Sequence, residues 1–283
     1  MENLVELKGI CKQFPSFSLV GIDLTLPAGT IVGLIGENGA GKTTTLKALL
    51  GLLHPDEGEV TLLGKPLSPE GLRQVGVVWE DSYFDGGLTP HQIGKVMAGI
   101  CSGWDAAYYQ SLCKRFSLPD NQKSKEFSRG MRMKLSLATA LARHPRLLVM
   151  DEPTSGLDPV VRGEILDIFL EFIQAEDRGI LLSSHITSDL EKIADEIAYI
   201  HQGRLLFQRN KDDLLENMAI LRCPEAVLET LPRELVIARQ KGRFGSAALI
   251  QEPDVVRDLV PNGVYDRASL DDMMQFITGK EIQ

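Results

Sequence analysis

The chain has 283 residues, and its 30 Lys and Arg against 39 Asp and Glu give a formal net charge of −9 at pH 7. This length suits one large domain or one domain with a smaller appendage. The negative charge argues against a broad contact with a nucleic-acid backbone, so we expect no nucleic-acid partner. The four cysteines are scattered without C-x-x-C spacing, which favours a reducing compartment and indicates neither a zinc site nor a disulfide framework. No run of about eighteen apolar residues occurs, so no membrane-spanning helix is expected.

Short apolar runs separated by turn residues open the chain. Residues 4–26 alternate between apolar and polar side chains and are bounded by Pro15 and by the turn 27–29, which predicts antiparallel strands. A fully apolar run, residues 31–35, follows directly and predicts a buried strand.

The glycine-rich segment 36–43 fits the phosphate-loop pattern G-x-x-x-x-G-K-[ST]. It lies between the apolar run 31–35 and a helix-prone run, and this order gives phosphate groups a pocket of backbone N–H groups at a helix N-terminus. Lys42 is expected to reach the β- and γ-phosphates, Thr43 to ligate Mg²⁺ and Thr44 to touch the α-phosphate. The predicted nucleoside-triphosphate site comprises Gly36, Glu37, Asn38, Gly39, Ala40, Gly41, Lys42, Thr43 and Thr44.

Beyond this loop, helical and strand patterns alternate. Helical character extends over residues 89–143, with a polar break at 124–128 and apolar helical spacing over 129–142. Further strands are predicted at 59–63, 75–79, 147–150 and 179–184. This alternation predicts an α/β fold with a mostly parallel sheet and covering helices.

From about residue 208 the pattern changes. A helix is predicted at 212–218, strands at 219–222, 234–238 and 246–250, and a final helix from about Ser269. We interpret residues 209–283 as a small α+β appendage and residues 1–208 as the main domain, with a helical subdomain at about 82–143.

Two adjacent carboxylates, Asp151 and Glu152, follow the apolar strand 147–150. At the end of a strand the two can take separate roles. Asp151 is placed to hold Mg²⁺, directly or through water, and Glu152 to orient and deprotonate the water that attacks the γ-phosphate.

The ordered motifs resemble those of the nucleotide-binding subunits of ATP-binding cassette (ABC) transporters. The motifs are residues 36–44, 127–131 at the start of a helix, 147–152, 153–158 and 183–185. The resemblance covers about residues 4–208 and implies a P-loop NTPase cassette that binds ATP and Mg²⁺. The tail resembles that of ABC-2-type exporter ATPases, in which a segment like 268–274 is common.

This resemblance assigns further residues. Phe14 corresponds to the aromatic residue that stacks on adenine, and packing under the first hairpin is the alternative role for it. His185 corresponds to the switch histidine that contacts the γ-phosphate and holds Glu152 in register. With Lys42, Glu152 and His185 form the expected catalytic set.

The family's signature loop acts on the nucleotide of a second cassette. Ser128 and Gly130 match that motif, and Asp158 corresponds to a residue on the seam between cassettes. Arg129 stands where glycine is usual and Met131 where glutamine is usual. Arg129 can add positive charge near the γ-phosphate or face solvent.

Glu80 is a third departure, because glutamine is usual there. A carboxylate can still ligate Mg²⁺, so the expected metal ligands are Thr43, Glu80 and Asp151. The following Tyr83, Phe84 and Leu88 lie where the family forms a groove for a transmembrane subunit, or else belong to the core of the helical subdomain.

The sequence therefore predicts the ATP-hydrolysing subunit of an exporter, peripheral on the cytoplasmic face of the membrane. Its expected partners are a second cassette and a transmembrane permease. A ribosome- or DNA-acting ABC protein is the first alternative, disfavoured by the single phosphate loop. A regulatory cassette that binds ATP and scarcely hydrolyses it is the second.

Overall fold

The computed structural model describes residues 2–79, 86–242 and 245–279. The chain divides into two compact units, the first ending at Gln208 and the second beginning at Arg209. Within the described ranges, no helix combines the length and the apolar composition needed to cross a membrane.

The chain up to residue 210 alternates between strands and helices. The strands are β1 (Asn3–Gln13), β2 (Ser18–Pro27), β3 (Ile31–Ile35), β4 (Glu57–Leu62), β5 (Lys65–Pro66), β6 (Val75–Val78), β7 (Leu147–Asp151), β8 (Gly179–Ser184), β9 (Glu196–His201) and β10 (Arg204–Asn210). The helices are α1 (Lys42–Leu49), α2 (Pro69–Leu72), α3 (Pro90–Ile100), α4 (Ala106–Arg115), α5 (Arg129–Leu141), α6 (Pro159–Phe172) and α7 (Thr187–Ile193).

The main sheet of the first unit has the described strand order β10-β9-β3-β8-β7-β6. Strand β3 pairs in parallel with β8 and β9, and β7 pairs in parallel with β6 and β8. Every residue of β3, β7 and β8 is buried. Strands covered on both faces contain nearly continuous apolar runs rather than alternating ones. This is why these three strands could be predicted from the sequence.

A second, antiparallel sheet has the described order β2-β1-β4-β5 and contains the N-terminal strands. The inward residues of β1 and β2 share one apolar core with β3 and α1. Helices α3, α4 and α5 then occupy the stretch predicted to be helical. The α/β architecture, the antiparallel N-terminal strands and the helical region are thus confirmed.

The register of the parallel strands β3, β7 and β8 determines where the candidate site lies. Ile35, the last residue of β3, lies beside Ser184 of β8, and Asp151, the last residue of β7, lies beside Ser183. Because these strands are parallel, their carboxyl ends meet at one edge of the sheet. The segments that follow β3, β7 and β8 therefore emerge next to one another.

The second unit is an α+β unit, as expected. Its elements are α8 (Lys211–Glu216), β11 (Met218–Cys223), α9 (Glu225–Leu228), β12 (Val236–Gly242), β13 (Gly245–Gln251), α10 (Pro253–Leu259), β14 (Val264–Arg267) and α11 (Leu270–Thr278). The described strands form an antiparallel sheet in the order β12-β13-β11-β14. Leu221, Ala248, Ile250 and Val256 lie at the centre of an apolar core on this sheet.

Several details of the second unit differ from the sequence prediction. The predicted helix 212–218 ends at Glu216, because Met218 already opens β11. The predicted strand 234–238 begins with a 3₁₀ turn, Arg233–Leu235, so β12 starts only at Val236. Helices α9 and α10 and strand β14 were not predicted, since elements of four to seven residues carry little periodic signal.

Candidate functional site

The loop after β3 has a backbone that only glycine accommodates well. Gly39 and Gly41 have φ of +83° and +116°, and Gly41 is the N-cap of α1. A Cβ on Gly36 would lie 2.3 Å from the backbone oxygen of Ile200. The loop is therefore pressed against β9 on one side and leads into the N-terminus of α1 on the other. This geometry suits an anion at the helix N-terminus.

Lys42 places a cation inside this loop. Its Nζ donates to the carbonyl oxygens of Gly36 at 2.7 Å and Glu37 at 3.2 Å. The same atom lies 3.4 Å from Oε1 of Glu152, and Lys42 is only 6% exposed. The lysine and the carboxylate expected to be catalytic are thus brought into direct ionic contact.

Thr43, Asp151 and Ser183 form a connected group of oxygen atoms. Thr43 Oγ1 donates to Asp151 Oδ2 at 2.7 Å, and Ser183 Oγ donates to Asp151 Oδ1 at 2.5 Å. Both carboxylate oxygens are therefore fixed by hydroxyl groups in a buried position. Ser183 belongs to the motif 183–185 but has no predicted role of its own, although a serine after the apolar residues of a buried strand is a detectable signal.

Glu152 and His185 form a second connected pair. His185 Nδ1 lies 2.6 Å from Glu152 Oε2, and the backbone N–H of His185 donates to the same oxygen at 3.2 Å. Glu152 has φ +51°, a left-handed conformation that is costly for a residue with a side chain. Its N–H donates to the backbone oxygen and to Oγ of Ser183, at 3.2 and 3.1 Å, which hold this conformation. The carboxylate is consequently aimed between Lys42 and His185.

Phe14 lies in the turn between β1 and β2, where its ring is half-buried. The ring centroids of Phe14 and Phe17 are 6.1 Å apart, and the two ring planes are tilted by 31° to each other. A Cβ on Gly41 would lie 2.9 Å from the ring tip of Phe17. Phe17, for which the sequence predicts no role, thus lies against Gly41 of the phosphate loop, and Phe14 lies beside it.

Tyr199 is a buried residue of β9, next to the end of β3. Burial, with a smaller contribution from the carboxylate of Glu37, raises the pKa of Tyr199 to about 12. A tyrosine hydroxyl is uncharged at neutral pH even at its ordinary pKa, so the raised pKa only extends this neutrality to more alkaline pH.

The segment 128–130 opens helix α5. Ser128 is the N-cap, and its side chain accepts from the N–H of Met131 at 3.2 Å. Gly130 packs against α6, because a Cβ there would lie 2.8 Å from Val161 Cγ1. Among the described residues, no hydrogen bond or ion pair joins Ser128 or Gly130 to residues 36–43. The structure thus places this segment apart from the polar contacts around Lys42.

Arg129 and Asp158 lie close to that segment. A Cβ on Gly156 would be 2.7 Å from Nη1 of Arg129, so the guanidinium lies against the loop that follows Glu152. The Asp158 carboxylate caps α6 by accepting from the N–H groups of Val160 and Val161. Three residues named from the sequence, Glu80, Tyr83 and Phe84, lie outside the described residues.

Sequence comparison matches a protein-family pattern to the part of the chain that contains the phosphate loop and Glu152. The sequence pattern of the ABC transporter family matches residues 19–155. An uncharacterized ABC transporter ATP-binding protein of Nostoc sp. (strain PCC 7120) is 38% identical over 206 residues, covering 70% of this chain and 61% of that protein. The chain therefore spans less than two thirds of that relative.

Two further comparisons cover most of the matched protein. The Nod factor export ATP-binding protein I of Burkholderia lata is 31% identical over 300 residues, covering 99% of this chain and 98% of that protein. A solved structure of an ATP-binding subunit of an ABC transporter is 30% identical, has a TM-score of 0.68, and is matched over 75% of this chain and 92% of its own length. The chain belongs to the ABC transporter family.

Proposed function

We propose that this chain binds and hydrolyses ATP and thereby powers export of a substrate through a separate transmembrane partner. The observation that carries the proposal is the placement of Glu152. Its carboxylate lies 3.4 Å from Lys42 Nζ and 2.6 Å from His185 Nδ1, at the edge of the sheet where the phosphate loop also emerges. A carboxylate that can accept the proton of a water, a cation that can balance phosphate charge and an imidazole that can orient the carboxylate together suit γ-phosphate hydrolysis.

ATP binding falls to the loop 36–44. Its backbone N–H groups and the N-terminus of α1 would surround the phosphates, and Lys42 would exchange its contacts with carbonyl oxygens for contacts with the β- and γ-phosphates. Thr44 would contact the α-phosphate. Phe14, beside Phe17 at the loop, would stack on adenine, which supports binding of the base and discriminates weakly between bases.

Mg²⁺ fits the donors present here. Thr43 Oγ1 and Asp151 Oδ2 lie 2.7 Å apart, and a hydroxyl and a carboxylate are the hard oxygen donors that Mg²⁺ prefers. Thr43 and Asp151 would hold the ion, with Glu80 as a third ligand. Held there, the ion would neutralise negative charge on the phosphates.

Hydrolysis is assigned to Glu152 and His185. Glu152 accepts the proton of the attacking water as that water adds to the γ-phosphate, and the γ-phosphate separates from ADP. His185 contacts the γ-phosphate and, through Nδ1, keeps the Glu152 carboxylate directed at the water. Lys42 stabilises the charge on the transferred phosphate. Positioning and electrostatics supply most of the rate enhancement.

Two protein partners complete the proposal. A second cassette would face the first head to tail, so that Ser128 and Gly130 of one chain close over ATP held by the other, with Asp158 on the seam. A permease would bind the helical subdomain, at about residues 82–143. The export assignment is supported by the relationship to an export ATP-binding protein along nearly the whole chain.

We also propose a role for each part of the chain, a location for the protein and a switching cycle. Residues 1–208 form the nucleotide-binding domain and 209–283 an accessory region, and the chain lies on the cytoplasmic face of the membrane. Closure of the cassette pair on ATP would drive the permease, and hydrolysis would reopen it, a two-state switch biased by the γ-phosphate.

Phosphate release from Mg·ATP by the purified chain tests hydrolysis. Glu152→Gln should abolish turnover and retain ATP binding, because the amide keeps the side-chain volume and cannot accept the proton. Glu176→Gln, an exposed glutamate beyond α6, is the matched control and should behave as wild type. Turnover that survives Glu152→Gln refutes the assignment. Binding without turnover in the wild type supports the regulatory alternative that Arg129, Met131 and Glu80 suggest.

Partition of the chain tests the export assignment. When the chain is produced together with a membrane protein encoded beside it, we expect it in the membrane fraction. A chain that stays in the supernatant under those conditions argues against a permease partner.

A further inference from the structure

A buried carboxylate lies just beyond the proposed site. Asp189, in the first turn of α7, is 1% exposed, and neither of its carboxylate oxygens has a hydrogen-bond partner among the described residues. Its ionic partner is Arg162, whose Nε lies 3.8 Å from Oδ2. The carboxylate is the buried member of the pair, since the Arg162 side chain is 27% exposed. Apolar residues can replace a buried carboxylate together with its partner without loss of stability and often with a gain. Stability alone therefore does not account for a carboxylate at this position.

Arg162 and Asp189 each lie in the first turn of a helix that follows a strand of the main sheet. Arg162 lies in the first turn of α6, after the loop that begins at Glu152, and Asp189 lies in the first turn of α7, four residues after His185. The strands that precede these segments, β7 and β8, are adjacent and parallel. The ion pair thus joins the two segments whose first residues form the Glu152–His185 contact.

Arg162 makes a second contact that extends this connection. Its Nη2 donates to the backbone oxygen of Leu157 at 3.3 Å, so one guanidinium links the loop after Glu152 to helix α7. The preceding residue, Val161, packs against Gly130 at the start of α5. A lysine has a single point of charge and cannot span both contacts with the fixed fork that arginine provides.

We propose that Arg162 and Asp189 are positioning residues that hold Glu152 and His185 in register for hydrolysis. Among the described residues, no hydrogen bond or ion pair joins Arg162 or Asp189 to the loop 36–44, and both act through the segments that they join. The inference rests on the proposed hydrolytic role of Glu152 and His185. Removing either member should loosen the 2.6 Å contact between Glu152 and His185 and leave the phosphate loop intact.

Four variants separate positioning from support of the fold. Arg162→Met and Asp189→Asn each leave one charge unpaired, and we expect kcat to fall between ~10- and ~100-fold with an unchanged KM for ATP. Arg162→Lys should recover only part of this loss. The double variant Arg162→Met with Asp189→Leu contains no buried charge, so its Tm should equal or exceed that of the wild type. Its kcat should stay low, because no guanidinium ties Leu157 to α7.

A readout that is independent of turnover uses the imidazole itself. In ¹⁵N-histidine-labelled protein, the Nδ1 resonance of His185 should move in Asp189→Asn as its bond to Glu152 lengthens. His144, which bonds the distant Asp105, is the internal reference and should not move.

Two results would overturn the inference. In the double variant, a kcat that returns together with Tm would assign the pair to fold stability alone. In Asp189→Asn, an unmoved His185 resonance would show that the pair does not set the Glu152–His185 contact. A failure of the proposed function would give a different result. In that case the wild type would bind ATP without turnover, and the His185 resonance would still move in Asp189→Asn.

Discussion

Ser183→Ala removes one hydroxyl that bonds two elements of the proposed site. The Oγ donates to the Asp151 carboxylate at 2.5 Å and accepts from the N–H of Glu152 at 3.1 Å, and Ser183 is fully buried. A hydrogen bond to a charged group contributes about 1.5–3 kcal/mol. The Glu152 N–H keeps its bond to the backbone oxygen of Ser183, so we expect a total loss of about 2 kcal/mol. In a unit of this size that loss lowers Tm by about 4–8 °C.

Ser184→Ala is the matched control. Ser184 is the next residue of β8 and is equally buried, but among the described residues its Oγ bonds only the neutral backbone of Ile186, accepting from its N–H at 2.9 Å. Loss of that bond should lower the free energy of unfolding by about 1 kcal/mol. Differential scanning calorimetry of both variants measures the difference. An equal or smaller loss in Ser183→Ala would refute the reasoning.

The same pair of variants reports on the metal. With Asp151 Oδ1 no longer fixed, the Mg²⁺ concentration for half-maximal ATP hydrolysis should rise about tenfold or more in Ser183→Ala. Ser184→Ala should leave it unchanged. A Mg²⁺ requirement that does not change in Ser183→Ala would show that the Ser183 hydroxyl does not position Asp151 as a metal ligand.

Two further substitutions test the phosphate loop and its surroundings. Gly36→Ala should abolish binding of a fluorescent ATP analogue, since its Cβ would lie 2.3 Å from a backbone oxygen, whereas Gly39→Ala, with open space and φ +83°, should weaken binding only through ~1–2 kcal/mol of strain. Equal affinities would contradict the loop geometry. Tyr199→Phe removes a buried hydroxyl that has no partner among the described residues, so thermal unfolding should show an unchanged or higher Tm. A Tm that falls by several degrees would reveal a bond that the structure lacks.

The site could be predicted from the sequence to the extent that its geometry is local. The loop 36–43 follows directly from a strand and leads into a helix, so glycine spacing and Lys42 suffice to predict its place between β3 and α1. Glu152 and His185 each follow a fully buried strand, and parallel pairing brings such strand ends together. Their 2.6 Å contact is a consequence of that topology.

Other features depend on packing that no local pattern encodes. The hydroxyl of Ser183 bonds Asp151 only because β7 and β8 are neighbours in register. The pairing of Arg162 with Asp189 requires α6 and α7 to pack side by side, and neither residue belongs to a motif. For Arg129 the sequence left two hypotheses open, positive charge near the γ-phosphate or exposure to solvent. Neither hypothesis predicted that its guanidinium lies against Gly156.

Turnover of Mg·ATP as a function of chain concentration, with Glu152→Gln as the blank, tests the central claim most directly. If paired cassettes hydrolyse ATP at Glu152, turnover should rise more steeply than in proportion to concentration and vanish in Glu152→Gln. Turnover that is equal in the wild type and in Glu152→Gln would contradict the account.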